Sequence, residues 1–156
     1  WFYAGDFKQA AHQFEIYDTF DDVDRENGIW RFFSQAKSYD LKKARQGLLK
    51  YKKDDREPFP SVYKLFDETT EPAAILSSIE NAKLDKKERE KRLFYAQLYI
   101  GLNYDILGKA KQAKVHLREA VANKWGPTAG YGPNYMWHGG RLHYERLQAK
   151  QAEKSE

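Results

Sequence analysis

The stretch FYAQLYIGLNYDILGKAKQAKVHLREAVANKWGP, residues 94–127, decides the fold. Small residues stand at Gly101, Ala113 and Ala120, and the bulkier Tyr104 and Leu117 lie at helical spacing around them. Small side chains facing large ones let two antiparallel helices approach closely and interlock, so the stretch predicts a helical hairpin. Gly108 falls where the first helix must stop, because glycine takes the left-handed conformation that ends a helix without a Cβ penalty. The second helix then carries Ala110, Ala113, Leu117, Ala120 and Val121 on one face and Lys111, Lys114 and Arg118 on another, solvated face.

Upstream, Asp85-Lys-Lys-Glu88 supplies a start signal. Asp85 can accept a backbone N–H, and Glu88 can reach back in a capping box. The first helix of the hairpin therefore runs from there to about Leu107, longer than the hairpin needs. Further out, a 34-residue period emerges. Aligning Gly5-Asp6-Phe7 with Tyr39-Asp40-Leu41 brings Ala10 onto Ala44, Phe14 onto Leu48 and Tyr17 onto Tyr51.

The middle of the chain is less regular. Ile29, Trp30, Phe32, Phe33 and Ala36 surround a helix at about residues 27–38 instead of striping it, which predicts burial between neighbours. The turn that follows is short by two residues, so residues 25–58 read as a degenerate hairpin. Lys53 to Pro60, with its two prolines, reads as a turn. Ser61 to Glu68 predicts a short helix presenting Val62, Leu65 and Phe66, and Thr70 with Pro72 opens another that turns Ile75, Leu76 and Ile79 inward. These two helices are expected to form a non-standard hairpin within a connector spanning residues 59–92. After Asn123, Trp125 to Pro133 is a loop punctuated by Gly and Pro, and a last helix from about Asn134 to Ala152 is expected to cap the array. Gly139-Gly140 inside that helix costs ~1 kcal/mol each relative to alanine, which demands either tight packing or a later helix start.

Composition agrees with a folded chain. At 156 residues the length suits one domain, and 41% hydrophobic with 15% aromatic residues is ample core material despite 32% charged ones. The absence of cysteine excludes disulfide frameworks, thiolate metal sites and thiol nucleophiles. Charge is uneven: residues 1–78 carry 12 basic and 14 acidic groups, and residues 79–156 carry 15 and 9. Even the densest run, Lys83 to Arg92, interleaves six basic with three acidic residues, and no unbroken basic stripe with stacking aromatics is present, so nucleic acid is not the expected partner. No uncharged apolar stretch approaches the ~18 residues of a bilayer-spanning helix. The start, Trp1-Phe-Tyr-Ala-Gly-Asp6, is neither a signal peptide nor a start methionine, which leads us to expect further sequence upstream in a parent protein.

Motifs of catalysis are missing. His12, His116, His138 and His143 include no pair at i,i+4 spacing, so no zinc pair and no metal site is expected. Asp22 to Gly28 has its glycine in the seventh place of a would-be calcium loop and Phe33 in the twelfth, and is rejected. Gly108-Lys109-Ala110 lacks the spaced glycine and hydroxyl of a phosphate loop, and Gly130-Tyr-Gly132-Pro133 follows no strand. Asp54, Asp55 and Glu57 sit beside lysines in a surface turn and read as solubilising. No catalytic residue and no cofactor is expected, and the chain reads as a non-enzyme.

These features resemble a tetratricopeptide-repeat protein, of the type found among bacterial cell-envelope and lipoprotein adaptors. Gly101, Tyr104, Gly108, Ala113, Leu117 and Ala120 stand where that repeat carries its packing residues, and Gly5, Ala10 and Ala44 are their counterparts in the weaker N-terminal part. The resemblance covers residues 1–51 weakly and 94–127 strongly, and residues 52–92 depart from it. It implies an all-α domain of antiparallel helical hairpins wound as a right-handed superhelix: a truncated repeat (1–24), a degenerate repeat (25–58), the connector (59–92), a well-formed repeat (94–127), and a loop with a capping helix (128–156). A concave groove would be lined by Tyr95, Leu98, Leu102, Asp105 and Ile106 and would hold a peptide, a partner's helix or a second copy, without catalysis. The same resemblance points to the bacterial envelope or periplasm. Alternatively, segment 59–82 or the truncated repeat fills the groove as core. A different class of reading, an envelope hydrolase or its regulatory subunit, rests on the polar loop Trp125–Pro133 and the carboxylates. A third, weak binding to nucleic acid or an anionic surface, rests on Lys111, Lys114, Arg118 and Lys124.

Overall fold

The computed structural model describes residues 1–53 and 55–152, the last two of these by backbone alone; Asp54, read above as solubilising, lies outside the described residues. Among the described residues eight α-helices follow in order: α1 (Phe7–Tyr17), α2 (Arg25–Ser38), α3 (Leu41–Gln46), α4 (Phe59–Tyr63), α5 (Pro72–Asn81), α6 (Lys86–Ile106), α7 (Ala110–Ala122) and α8 (Tyr131–Ala152). Short 3-10 turns occupy Phe2–Ala4 and Gly126–Thr128, and no strand occurs among the described residues. Contacts cluster into two compact units, Trp1–Glu71 and Pro72–Glu156. The division falls inside the expected connector, so its two helices belong to different units: α4 packs on α2, and α5 packs on α6.

In the first unit the 34-residue period has a local structural basis. Asp6 caps α1 by accepting from Gln9 N at 3.1 Å, and Asp40 caps α3 by accepting from Lys43 N at 2.7 Å. Ala10 and Ala44, four residues beyond each cap, are both buried. Beyond that the correspondence ends, since α1 continues to Tyr17 while α3 stops at Gln46, leaving Leu48 and Tyr51 outside any helix. The cause is non-local. Arg31 Nη1 donates to Gly47 O at 3.1 Å, Arg25 Nη1 donates to Lys53 O at 2.8 Å, and Leu49 N donates to Tyr63 Oη at 3.1 Å. Side chains of α2 and α4 thus take backbone groups that a longer helix would have paired internally. Tyr51 folds over Gly28 and donates to Asp24 O at 3.2 Å, and a Cβ at position 28 would collide with its hydroxyl.

Helix α2 is buried nearly all round, as its apolar pattern predicts: Ile29, Trp30, Phe32 and Phe33 are all in the core, and the Phe66 ring sits 4.9 Å from Phe32 and 5.3 Å from Phe33. Helix α4 begins at Phe59, two residues earlier than expected, and ends by Tyr63, yet Val62, Leu65 and Phe66 are buried. Across α1 and α2, Gln35 Nε2 donates to Glu15 Oε1 at 2.7 Å, and Arg31 Nε lies 3.2 Å from Asp18 Oδ2. The Asp18 side chain is only 8% exposed. Loss of water raises its carboxyl to about 6, and the Arg31 charge opposes that rise.

The second unit is organised on α6. Asp85 accepts from Glu88 N at 2.8 Å, as expected of its cap. The Glu88 carboxylate turns forward instead of back, to Arg92 Nε at 2.9 Å and Lys91 Nζ at 3.1 Å, because two cations one turn ahead attract it more than a neutral N–H. Arg89 closes the end of α5, donating from Nη1 to Glu80 O at 2.9 Å and from Nη2 to Ala82 O at 3.1 Å.

Helices α6 and α7 lie against one another as an antiparallel pair joined through Gly108, whose φ is +73°. At their crossing, a Cβ on Gly101 would come 2.7 Å from Leu117 Cγ and 3.1 Å from Leu117 N. Ala113, Leu117 and Ala120 are buried around that point. Asn123 ties the pair to the following loop: its Nδ2 donates to Glu90 O at 2.9 Å, and its Oδ1 accepts from Trp125 N at 2.9 Å and Gly126 N at 3.2 Å. Helix α8 starts three residues before the expected Asn134, after Gly130 at φ +97°. For Gly140, tight packing is the explanation found, since a Cβ there would lie 2.9 Å from Leu98 Cδ1.

Candidate functional site

The residues expected to line a groove belong to the interior of the second unit. Tyr95, Leu98 and Leu102 are 5%, 1% and 2% exposed, and Asp105 and Ile106 are half-buried. Within this unit α8 covers part of that face. Gly140 rests on Leu98, Tyr99 Oη lies 3.8 Å from Met136 Sδ, and His143 Nε2 lies 3.1 Å from Asp105 Oδ2. Tyr95 meets Trp125 at 5.8 Å and stacks with Tyr99 at 6.4 Å. Tyr95, Leu98 and Leu102 therefore form core, and Asp105 and Ile106 lie at its edge. The sequence carried one sign of it, the glycine pair in α8, which only a close neighbour makes worth its cost.

The remaining marked residues separate into packing and conformational roles. Gly101, Ala113, Leu117 and Ala120 meet at the α6–α7 crossing. Gly5 does not pack at all: it is exposed, ends the first 3-10 turn at φ +83°, and has open space where a Cβ would stand. Tyr104 is half-buried and stacks on His116 at 5.4 Å. His116 Nδ1 donates to Gln97 Oε1 at 2.7 Å, and burial lowers the pKa of its ring. The other histidines lie elsewhere, His12 on the surface, His138 against Trp137 and His143 against Asp105.

Two of the features that motivated a hydrolase, Asp55 and the loop, have structural partners. Asp55 accepts from Arg25 N at 3.0 Å at the start of α2. Across the loop at Trp125 to Pro133, Gly126 packs against the Phe94 ring and Asn134 Nδ2 donates to Pro127 O at 2.9 Å.

An open recess instead lies between α7 and α8. Lys111, Lys114, Val115 and Arg118 come from α7, Tyr144 and Gln148 come from α8, and the space holds about 350 Å³. Helical spacing at i, i+3 and i+7 puts the three cations on one side of α7. Val115, half exposed, and the Tyr144 ring give it apolar surface. Among the described residues Lys111 and Lys114 form no ion pair, and Arg118 meets only the adjacent Glu119, at 3.1 Å, with its own side chain 63% exposed. A second space of about 350 Å³, at the start of α6, is lined by Lys86, Lys87, Glu90, Lys124, Trp125 and Thr128. The sequence indicated the cations of α7. It could not indicate Tyr144 and Gln148, because their position depends on how α8 seats.

The chain is thus an all-helical protein whose second unit combines a closed aromatic core with a cationic, partly apolar recess. No protein-family model and no curated protein matches it. Among the described residues, no helix is long and apolar enough to cross a membrane.

Proposed function

We propose that the chain is a non-catalytic protein-interaction module built on a tetratricopeptide-like hairpin, α6 and α7, with α8 as its capping helix. Support for the repeat comes from Gly101 against Leu117, the left-handed Gly108, and the buried Ala113 and Ala120. Because the helix-A face is core, the partner is held on the α7–α8 recess, by a segment that combines acidic and apolar side chains. One observation carries this reading: three cations surround apolar surface, and among the described residues only Arg118 has a carboxylate beside it. Opposite charge at such a rim steers and orients a partner, and apolar contact at the centre holds it.

Titration of fluorescent peptides rich in Glu and Phe tests the proposal by anisotropy. Binding should weaken by about tenfold or more in Lys111→Glu/Lys114→Glu, with the helical circular-dichroism spectrum unchanged. Equal binding by the double variant, or none by the native chain, would overturn it. The non-catalytic half is tested separately, since release of product from peptidoglycan or polysaccharide by the purified protein contradicts it.

A further inference from the structure

The first unit carries a surface of the opposite character. The turn between α1 and α2, Asp18 to Asp24, is held by its own hydrogen bonds. Thr19 N and Phe20 N donate to Ile16 O and Tyr17 O, and Asp21 Oδ1 accepts from Val23 N at 2.8 Å and Asp24 N at 3.1 Å. This frame displays Phe20, 71% exposed, against the Tyr17 ring at 5.1 Å, with Ile16 half exposed one turn earlier. Asp22 stands beside them with its side chain 73% exposed, loosely paired with Lys53 at 3.9 Å. A phenylalanine offered to water on a rigid, acidic turn is an anchor in search of an apolar, basic seat.

That seat is described above. We infer that the α7–α8 recess receives the Phe20 turn of a second copy of this chain, Phe20 and Ile16 meeting Val115 and Tyr144 while Asp21 and Asp22 face Lys111, Lys114 and Arg118. The inference rests on the reading of the recess as a partner site and names that partner. Charge complementarity favours it over an unrelated occupant: residues 1–71 carry 12 basic and 14 acidic groups, and residues 72–156 carry 15 and 9. Because the turn is already fixed by internal hydrogen bonds, little conformational freedom is lost on docking. Turn and recess are different surfaces, so the contact is heterologous, and every copy presents both halves.

Two variants test it. Phe20→Ser/Asp22→Lys removes the turn and leaves the recess, and Lys111→Glu/Lys114→Glu/Arg118→Glu does the reverse; all five positions are exposed or on the recess rim. Sedimentation of the native chain should show mass rising with concentration from the micromolar to the millimolar range at low salt, and falling back at high salt. Each variant alone should remain a monomer, and an equimolar mixture should give a heterodimer and nothing larger, since only one productive pairing survives. A native chain that stays monomeric at millimolar concentration and low salt, or a mixture that stays monomeric, overturns the inference. Binding of a Glu- and Phe-rich peptide to the recess under those same conditions would show that the recess takes acidic segments but not this one, which separates the two failures.

Discussion

Replacing Gly101 by alanine probes the contact on which the second unit is built. A new Cβ would stand 2.7 Å from Leu117 Cγ and 3.1 Å from Leu117 N, where carbon atoms ordinarily rest about 3.5–4.0 Å apart. The Leu117 side chain can turn, but its backbone nitrogen cannot move without α7. The helices must therefore part by roughly 0.5 Å at their closest point, and the van der Waals contact around the crossing weakens. Overpacking of this kind costs about 1–3 kcal/mol. Against it stands the gain of alanine over glycine in a helix interior, about 1 kcal/mol. We expect Gly101→Ala to lower stability by about 1–2 kcal/mol, read as a shift of the urea midpoint followed by circular dichroism. In a Leu117→Ala background the side-chain part of the clash is gone while the 3.1 Å approach to the backbone nitrogen remains, so the same change should cost less than in the native chain, a coupling read from the double-mutant cycle. If Gly101→Ala alone proves more stable than the native chain, the two backbones do not touch there and the reasoning fails.

Leu98→Glu places a carboxylate against Gly140 in a dry site; it should cost more than about 3 kcal/mol and unfold the second unit, as seen by loss of near-ultraviolet dichroism, whereas an unchanged spectrum would mean that the position is open. Gly28→Ala should cost about 1–3 kcal/mol in a melt because the Tyr51 phenol must leave its site, and Tyr51→Phe in the same chain should relieve part of that loss. Asp18 gives a pH effect of unusual sign. With its folded-state pKa raised to about 6, the folded chain keeps a proton that the unfolded chain has released, so this contribution to stability is full below the ordinary carboxylate pKa and is lost as pH rises through about 6. Measured against Asp18→Asn, native stability should fall by up to about 3 kcal/mol over that interval, and parallel pH curves for the two chains would refute the assignment.

Local signals account for the parts of the fold that were legible in the sequence. Asp85, Gly108 and the set Gly101, Ala113, Leu117 and Ala120 fix where α6 begins, where it ends and which face it presents, since a cap, a left-handed turn and a close crossing each demand a particular residue type. The end of α3 was not legible in this way. Leu48 and Tyr51 continue a helical pattern, but Arg31, Arg25 and Tyr63, far off in sequence, claim the backbone there. The groove misled for a related reason. Tyr95, Leu98 and Leu102 have the spacing of an open face, and burial depends on a neighbour whose only trace in the sequence is a glycine pair that looks unfavourable by itself. The cations of Lys111, Lys114 and Arg118 were legible as a face, and their use as a rim was not, because a recess needs both of its walls.

Asn123 has a consequence beyond holding the α6–α7 pair to the loop. Its amide acts as donor to Glu90 O and acceptor from Trp125 N and Gly126 N, so both ends of one small dipole are engaged. Deamidation, the slow ageing reaction of asparagine side chains, would leave the two acceptor bonds intact and set an oxygen against the Glu90 carbonyl. The change would convert an attraction into a repulsion, and add a negative charge, where α6 meets the loop that leads into α8. One side-chain amide thus decides whether α6 and the loop that leads into α8 hold together.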